Sequence, residues 1–314
     1  MPRKTKKADD TAIATKVLKS VLAKTVVKPN NKLANEIVND MVGGDFDLIV
    51  SAAKAKKEIV TKVMITYDES KVTLSSRFDF TPYDREVHDA VITLNVAGND
   101  VITPEMVYRA MNGMTDTEYV SPQAVEAVSQ SLDQSMRIMV KIDYTQEADA
   151  YGKKDAKVKY KYEGHLLACE KITVEAGGHK KEAYHLHRSP ILYEYAQISG
   201  QIISVPIELL NTKDVVRGSE DVSVLKGYLL RQIEGMKSGS FKRSRNILYA
   251  GLYKELGMND LPPKALADKA LKIRKHVEAV LKEWVEQEYI MGYSQYKDGK
   301  TIKGVTIALD IIDV

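Results

Sequence analysis

The sequence predicts an α+β chain in which one order of elements occurs twice: a helix, a second helix, a longer helix and then strands. Two sets of three segments carry apolar residues at helical spacing. Three of these segments begin with a hydroxyl residue followed by proline, the pattern of an N-cap and a first helical residue. Near the end of the chain, Asp298-Gly299 separates two strand-like segments and favours a hairpin turn. We therefore expect two tandem winged-helix domains, each a helix-turn-helix variant with a β-hairpin wing, preceded by a helical N-terminal arm.

Residues 1–75 are expected to form the arm. They are rich in lysine and alanine and contain no aromatic residue before Phe46. Residues 1–10 are expected to be disordered, and residues 16–24 and 31–41 have the spacing of short amphipathic helices. These helices offer too little apolar surface for a core of their own. We predict a basic, partly disordered helical arm.

Residues 76–212 are expected to form the first winged-helix domain. Helices are predicted to begin at Thr81-Pro82, Thr103-Pro104 and Ser121-Pro122, and Gly98 and Gly113 are predicted to end the first two. Strand patterns follow and are assigned to an enlarged β-wing, which includes a β-rich insertion over residues 157–187. The expected strands cover residues 138–144, 157–162, 165–175 and 181–187.

Residues 213–314 are expected to form the second winged-helix domain. Helices are predicted over residues 221–236, 244–256 and 264–287, and strands over residues 289–296 and 301–309. The third of these helices is long, and its apolar positions recur at steps of three and four residues.

The charge is distributed unevenly along the chain. The formal net charge is only +3, but residues 226–275 carry 12 Lys/Arg and 4 Asp/Glu, a net charge of +8. Residues 76–225 carry 16 Lys/Arg and 23 Asp/Glu, a net charge of −7. A local basic cluster is typical of phosphate binding, because contacts to phosphates release condensed counterions.

The second domain is therefore expected to bind double-stranded DNA. In a helix-turn-helix module the later helix enters the major groove, and its N-terminal residues contact base edges. Lysine and arginine can donate there to guanine or to phosphates. The expected DNA-binding residues are Lys264, Lys269, Lys272, Arg274 and Lys275 on the long helix, Lys242, Arg243, Ser244 and Arg245 before the preceding helix, and Lys297, Lys300 and Lys303 on the hairpin.

The long helix of the first domain has a different chemistry. It carries Gln123, Gln130 and Gln134, but Glu126 and Asp133 would repel phosphates. A cationic run lies where the first wing is expected, and we assign backbone contacts to its residues Lys153, Lys154 and Lys157. We expect this domain mostly to contact protein, and base reading by Gln123, Gln130 and Gln134 stays open because glutamine can pair with adenine.

This organisation resembles a known family, the iteron-binding replication initiators of plasmids and related mobile elements. The resemblance covers residues 76–312 and rests on the two tandem winged helices and on phrases such as Phe80-Thr81-Pro82-Tyr83-Asp84-Arg85-Glu86-Val87 and Gly227-Tyr228-Leu229-Leu230. It implies recognition of origin repeats by the second winged helix, a homodimer formed through the first, and recruitment of host replication proteins. It places base reading on Lys264, Lys272, Lys275 and Arg274. A winged-helix transcriptional regulator would use the same DNA chemistry and remains an alternative.

One pattern points to an enzyme instead. His185-Leu186-His187 places two imidazoles on one side of a strand, as in rolling-circle nicking enzymes that add a tyrosine nucleophile. The candidate tyrosines are Tyr193, Tyr195, Tyr249 and Tyr253. We find no third His or Glu ligand at a matching spacing, and we expect neither a metal site nor catalysis. His88, His165 and His179 are scattered along the sequence and are expected to be surface or interface residues.

Other classes are excluded by composition and motifs. No apolar stretch approaches the ~18 to 20 residues that cross a bilayer, and no secretory signal opens the chain. The single cysteine, Cys169, cannot form an internal disulfide, which favours a reducing cytoplasm. No phosphate-binding loop of the Gly-x-x-x-x-Gly-Lys-Ser/Thr type occurs, so we expect no nucleotide cofactor.

Overall fold

The computed structural model of the chain describes residues 21–38, 44–51, 58–67, 79–152, 160–176, 179–238 and 244–309. The chain divides into two compact units, residues 1–206 and residues 207–314. Both units combine helices with open antiparallel sheets, as expected for an α+β chain. None of the described helices combines the length and apolar character needed to cross a membrane.

Residues 21–67 belong to the first unit and do not form the helical arm that the sequence predicted. Residues 21–24 are not helical, and only five residues near position 31 form a helix. Residues 25–29, 44–51 and 58–67 are strands; the second and third of these pair with each other, and the first and third pair with strands far along the chain. Residues 1–20, which include the predicted disordered stretch, lie outside the described residues. The elements are β1 (Thr25–Pro29), α1 (Lys32–Glu36), β2 (Gly44–Ser51) and β3 (Glu58–Tyr67).

Three capped helices follow, and the sequence predicted their starts correctly. The side-chain oxygens of Thr81, Thr103 and Ser121 each accept a hydrogen bond from a backbone N–H three residues later. Proline occupies the first helical position in each case, where its missing N–H removes no hydrogen bond. Gly113 caps the second helix with φ 61°, in the left-handed region that glycine tolerates. The elements are α2 (Pro82–Val96), β4 (Val101–Ile102), α3 (Pro104–Asn112) and α4 (Pro122–Arg137).

The described strands of the first unit are divided among three sheets and do not form one enlarged wing. One sheet has the order β2-β3-β5-β6, another has the order β4-β8-β7, and in the third β1 pairs with β9. Glu163 and Gly164, which separate two of the strands expected from the sequence, instead lie within β6 and pair with β5. The elements are β5 (Ile138–Asp143), α5 (Thr145–Ala150), β6 (Lys161–His165), β7 (Cys169–Ala176), β8 (His179–Leu186), α6 (Ile191–Ser199) and β9 (Ile202–Pro206).

A buried charge network joins β1 to α2. Lys28 pairs with Glu86 and, at 3.4 Å between Nζ and Oδ2, with Asp89. Arg85 donates to the carbonyl of Pro29 at 2.7 Å and pairs with Asp89 at 3.6 Å. All four charged side chains are almost fully buried, so each depends on these partners. The network fixes the N-terminal strand to the first capped helix.

His88 lies beside this network and is buried, contrary to the surface or interface position expected from the sequence. Its ring contacts Phe80 edge-on, with 6.3 Å between centroids. Neither of its ring nitrogens has a hydrogen-bond partner among the described residues. Burial, with a further contribution from Arg85, lowers the pKa of His88 to about 3. The imidazole is therefore neutral at physiological pH.

The second unit contains three helices and a three-stranded sheet of order β10-β12-β11. A short strand stands between the first two helices and pairs with the last strand of the hairpin. The sequence predicted one helix over residues 244–256, but Asn246–Leu248 is strand because Ile247 pairs with Val305. After a 3-10 turn (Ile207–Leu210), the elements are α7 (Glu220–Lys237), β10 (Asn246–Leu248), α8 (Tyr249–Glu255), α9 (Pro263–Glu286), β11 (Gly292–Asp298) and β12 (Thr301–Ala308).

Two close contacts fix this second unit. Trp284, fully buried at the end of α9, donates from Nε1 to the carbonyl of Leu209 at 2.8 Å. Gly304 faces the backbone of β10, and a Cβ at this position would lie 2.1 Å from the carbonyl oxygen of Ile247. Only glycine allows β10 and β12 to approach this closely.

Candidate nucleic-acid interface

Helix α9 has a buried face that begins at Ala270 and an exposed face along its N-terminal half. The buried residues are Ala270, Ile273, Val277, Val280, Leu281 and Trp284. The exposed residues between positions 264 and 275 are Lys264, Ala265, Ala267, Asp268, Leu271, Lys272 and Lys275. At 100° per residue the second set lies opposite the first. The helix therefore presents an elongated, mainly basic face to solvent.

The cations predicted on α9 have different partners. Lys269 pairs with Asp221 of α7, with 3.1 Å between Nζ and Oδ1. Arg274 donates from Nε to the hydroxyl of Tyr253 at 2.9 Å. Lys264, Lys272 and Lys275 are exposed and have no ion-pair partner among the described residues. Only these three are free to contact a ligand without breaking a contact within the unit.

Arg274 and two tyrosines join α8 to α9. Tyr249 and Tyr253 are stacked, with 5.9 Å between ring centroids, and the guanidinium of Arg274 lies 5.7 Å from the centroid of Tyr249. Burial raises the pKa of Tyr249 to about 12. This cluster sets the position of α9 on α8, and Arg274 is a packing residue at least as much as a candidate for base contact.

His276 flanks the basic face and is half-buried. Burial, followed by the charge of Lys272, lowers its pKa from the usual 6.5. The ring is therefore neutral at neutral pH and adds no positive charge to α9.

Part of the +8 charge of residues 226–275 lies inside the unit. Lys226 is buried and donates to the carbonyl of Leu210 at 2.7 Å, and Arg231 is buried and pairs with Glu255. Lys237 pairs with Glu234 at 3.2 Å and lies over the ring of Tyr289 at 3.5 Å. The segment count therefore overstates the charge available to a ligand.

The β11–β12 hairpin is a second exposed basic element. Lys297, Lys300 and Lys303 are exposed, without an ion-pair partner in the described parts of the chain. Asp298 pairs with Thr301, so Gly299 and Lys300 form a two-residue turn, and Gly299 has φ 59°. The predicted turn position is confirmed, and Lys300 lies at the tip.

The hairpin is attached to the C-terminal half of α9. The hydroxyl of Tyr293 donates to the carbonyl of Glu278 at 3.1 Å. Helix and hairpin therefore belong to one rigid arrangement within the unit.

The basic segment before β10 is described only in part. Lys242 and Arg243 lie outside the described residues. Ser244 and Arg245 are exposed, the Ser244 hydroxyl accepts from the N–H of Asn246 at 3.2 Å, and the Arg245 carbonyl accepts from Ile307 at 2.9 Å. Arg245 therefore lies directly before β10, and its carbonyl is hydrogen-bonded to β12.

Two exposed residues of α9, the apolar Leu271 and the acidic Asp268, were not among the predicted site residues. Leu271 lies between Lys264 and Lys275 on the exposed face and is 56% exposed. Asp268, one turn earlier, is also exposed. The sequence signal for both was available in the helical wheel, but a search for cations alone passes over them.

The evidence for DNA binding is weaker in the first unit. Gln134 is buried and donates to the carbonyl of Asp79 at 2.7 Å, so it cannot read a base. Gln130 donates to Glu126 at 2.8 Å, while Gln123 is exposed near the start of α4. Lys153, Lys154 and Lys157 lie outside the described residues.

The hairpin that pairs with β4 is β7–β8, not the basic run that the sequence analysis assigned to the first wing. Two of its lysines, Lys171 and Lys181, are paired with carboxylates. Lys171 contacts Asp133 and Glu182 at 3.2 and 3.1 Å, and Lys181 contacts Glu105 at 3.6 Å.

Of the candidate nucleophiles, Tyr195 is not accessible. It is buried and donates its hydroxyl proton to Glu147, which also accepts from Thr61 at 3.0 Å. Burial and the nearby carboxylate of Glu147 raise the pKa of Tyr195, which opposes formation of a phenolate. Tyr253 is bonded to Arg274, and Tyr249 is buried.

Neither a scan against protein-family models nor a search of curated proteins gives a match. Two crystal structures are similar in fold. One, of domain 2 and domain 3 of RctB, has a TM-score of 0.42 at 14% identity and covers 89% of this chain and 97% of that chain. The other, of RctB domains 2–3, has a TM-score of 0.39 at 13% identity and covers 85% of this chain and 92% of that chain. Both TM-scores are too low to transfer a function.

Proposed function

We propose that this chain is a sequence-specific double-stranded DNA-binding protein that acts in the cytoplasm. In this proposal it starts replication of a plasmid or mobile element by binding origin repeats through its second unit. The proposal rests on a difference between the hairpins of the two units, β7–β8 and β11–β12, in how their lysines are paired. Lys171 and Lys181 of the first unit's β7–β8 hairpin are paired with carboxylates, whereas Lys297, Lys300 and Lys303 of the second unit are exposed and unpaired within the described residues.

The order of elements supports a winged helix in each unit. In the second, the strand between α7 and α8 pairs with the last strand of the hairpin, and the longest helix precedes that hairpin. In the first, β4 lies between α2 and α3 and pairs with β8, giving the corresponding sheet order β4-β8-β7. With this topology, α9 is the helix that would enter the major groove and β11–β12 the wing that would follow the backbone.

The exposed face of α9 has the chemistry of a base-reading surface. Lys264, Lys272 and Lys275 can donate to guanine or to phosphate oxygens. Leu271 can contact the methyl group of thymine, and Asp268 can accept from the amino group of cytosine.

Binding is tested by fluorescence anisotropy with DNA that flanks the coding sequence, compared with random DNA of equal length. We expect tighter binding to the flanking DNA and a linear fall of log K with log salt concentration. Equal affinity for both DNAs would reject sequence-specific binding.

Initiation is tested separately from binding. The gene and its flanking DNA are placed on a circle that lacks another origin, and a host is transformed. Recovery of the circle, lost in the Lys272→Ala, Lys275→Ala double variant, supports an initiator. Specific DNA binding without recovery of the circle would favour a transcriptional regulator.

A further inference from the structure

Three metal-binding side chains meet on the hairpin of the first unit. Glu170 lies on β7, His185 lies on β8, and His187 follows directly after that strand. The antiparallel register pairs Glu170 with His185. Residues 185 and 187 lie two apart and so point to the same side of the strand. Glu170 on the neighbouring strand is thus the candidate for the third ligand, which the spacing of residues in the sequence did not indicate.

The ligand atoms are already close. Glu170 Oε1 and His185 Nδ1 are 3.2 Å apart, and one ligand atom from each of the three residues lies within 4.8 Å of the others. The rings of His185 and His187 are 5.5 Å apart between centroids and nearly perpendicular. Ligands of a tetrahedral zinc ion, bound at about 2.0–2.1 Å, lie roughly 3.3 Å from each other. A small side-chain rotation would therefore bring all three into coordination.

The positions of these residues also suit a ligand site. The inward neighbours Tyr184 and Leu186 are buried and hold β8 in the core, while the side chain of Glu170 is 54% exposed and that of His185 29% exposed. The hydroxyl of Tyr184 donates to Asp133 of α4 at 2.9 Å, which fixes the strand from its inner side. A rigid strand thus carries ligands that an ion can reach from solvent.

We propose that Glu170, His185 and His187 bind a divalent transition-metal ion of the zinc class. Two imidazoles and one carboxylate suit Zn²⁺, Co²⁺ or Ni²⁺, whereas Mg²⁺ and Ca²⁺ prefer sites made only of oxygen ligands. Three protein ligands leave at least one coordination position for water or another molecule. The ion would place positive charge on a hairpin in which Lys171 and Lys181 are paired with carboxylates.

The experiment is a titration of the full-length protein with Zn²⁺ against a chromophoric chelator, together with the visible absorption spectrum of the Co²⁺ form. We expect one site per chain. His187→Ala and Glu170→Gln should each weaken it by at least about 10-fold, the effect typical of losing a ligand or its support. Millimolar Mg²⁺ should not displace the bound ion.

Two matched variants serve as controls. Glu182→Gln changes a carboxylate of the same hairpin that pairs with Lys171, and His165→Ala removes an imidazole on β6. Both should bind Zn²⁺ like the wild type. Circular dichroism checks that every variant is folded.

Equal Zn²⁺ affinity in the wild type, His187→Ala and Glu170→Gln would overturn the proposal, as would the lack of a Zn²⁺ site in the wild type. Neither result would affect the DNA-binding proposal, which rests on the second unit.

Discussion

Lys269 and Asp221 form an ion pair between α9 and α7, whereas Lys272, three residues further along α9, is exposed. The two lysines carry the same charge on the same helix, but only one is committed to a contact within the unit. Variants at these two positions can therefore distinguish a general effect of the helix charge on DNA affinity from the loss of a direct DNA contact.

We expect Lys272→Ala and Lys275→Ala to weaken binding to the specific DNA, by about 1–3 kcal/mol for a lysine that contacts a guanine. If both instead contact phosphates, the double variant should lower the salt slope by about 2. Lys269→Ala is the matched control and should change both quantities less, with a stability loss below about 1 kcal/mol. Anisotropy titrations at several salt concentrations measure both. Equal effects at positions 269 and 272 would argue against a DNA-facing stripe.

A variant of Leu271 can distinguish base recognition from the effect of charge, because leucine is uncharged. Leu271→Ala removes an exposed apolar group, so it should leave the melting temperature unchanged. We expect it to weaken binding to the specific DNA by about 1 kcal/mol through loss of a thymine-methyl contact. Affinity for random DNA and the salt slope should stay the same. A parallel loss on both DNAs would show that Leu271 does not contact a base.

His88 makes stability depend on pH. Its pKa in the folded protein is about 3, below its ordinary value of 6.5, so the unfolded state binds the proton more readily. Above pH 6.5 the imidazole is neutral in both the folded and the unfolded state, so its titration does not change the free energy of unfolding. Between pH 6.5 and about pH 3, it lowers the free energy of unfolding by about 1.4 kcal/mol per pH unit. Urea unfolding at pH 7 and pH 4.5 should show a smaller acid loss in His88→Leu than in the wild type; equal losses would reject this assignment.

The start of the second unit is also testable. Trp284 and Lys226 donate to the carbonyls of Leu209 and Leu210, so a fragment of residues 213–314, the domain predicted from sequence, lacks both acceptors. Losing the acceptor of a buried donor costs about 1–3 kcal/mol, and more for a charged group. We expect residues 207–314 to melt at a higher temperature than residues 213–314. Equal melting temperatures would show that the 3-10 turn contributes nothing.

Sequence reasoning succeeded where the signal was local. The hydroxyl-proline caps at Thr81, Thr103 and Ser121 and the turn at Gly299 depend on neighbouring residues, and the structure confirms them. The amphipathic period of α9 likewise separated its buried from its exposed residues.

It failed where a partner is distant in sequence. Lys28 lies in a strand because Ile203 is beside it, and Ile247 because Val305 is beside it. The same limit applies to the site: Glu170 becomes a candidate ligand only when the register places it opposite His185. Lysine composition could not show that Lys226 is buried or that Lys269 is paired. The DNA-binding roles themselves stay predictions.

The β1–β9 ladder sets how the first unit would respond to a pulling force. Thr25, the first residue of β1, is paired with Pro206, the last residue of β9 and of the first unit. The chain just before β1 stays attached to the unit, because Val21 forms two hydrogen bonds of 2.8 Å with the side chain of Asn99. Tension between Thr25 and the chain that follows Pro206 would load this end of the ladder first and open it one pair at a time, toward Pro29 and Ile202. Such peeling needs less force than sliding whole strands past each other, because the hydrogen bonds break in succession.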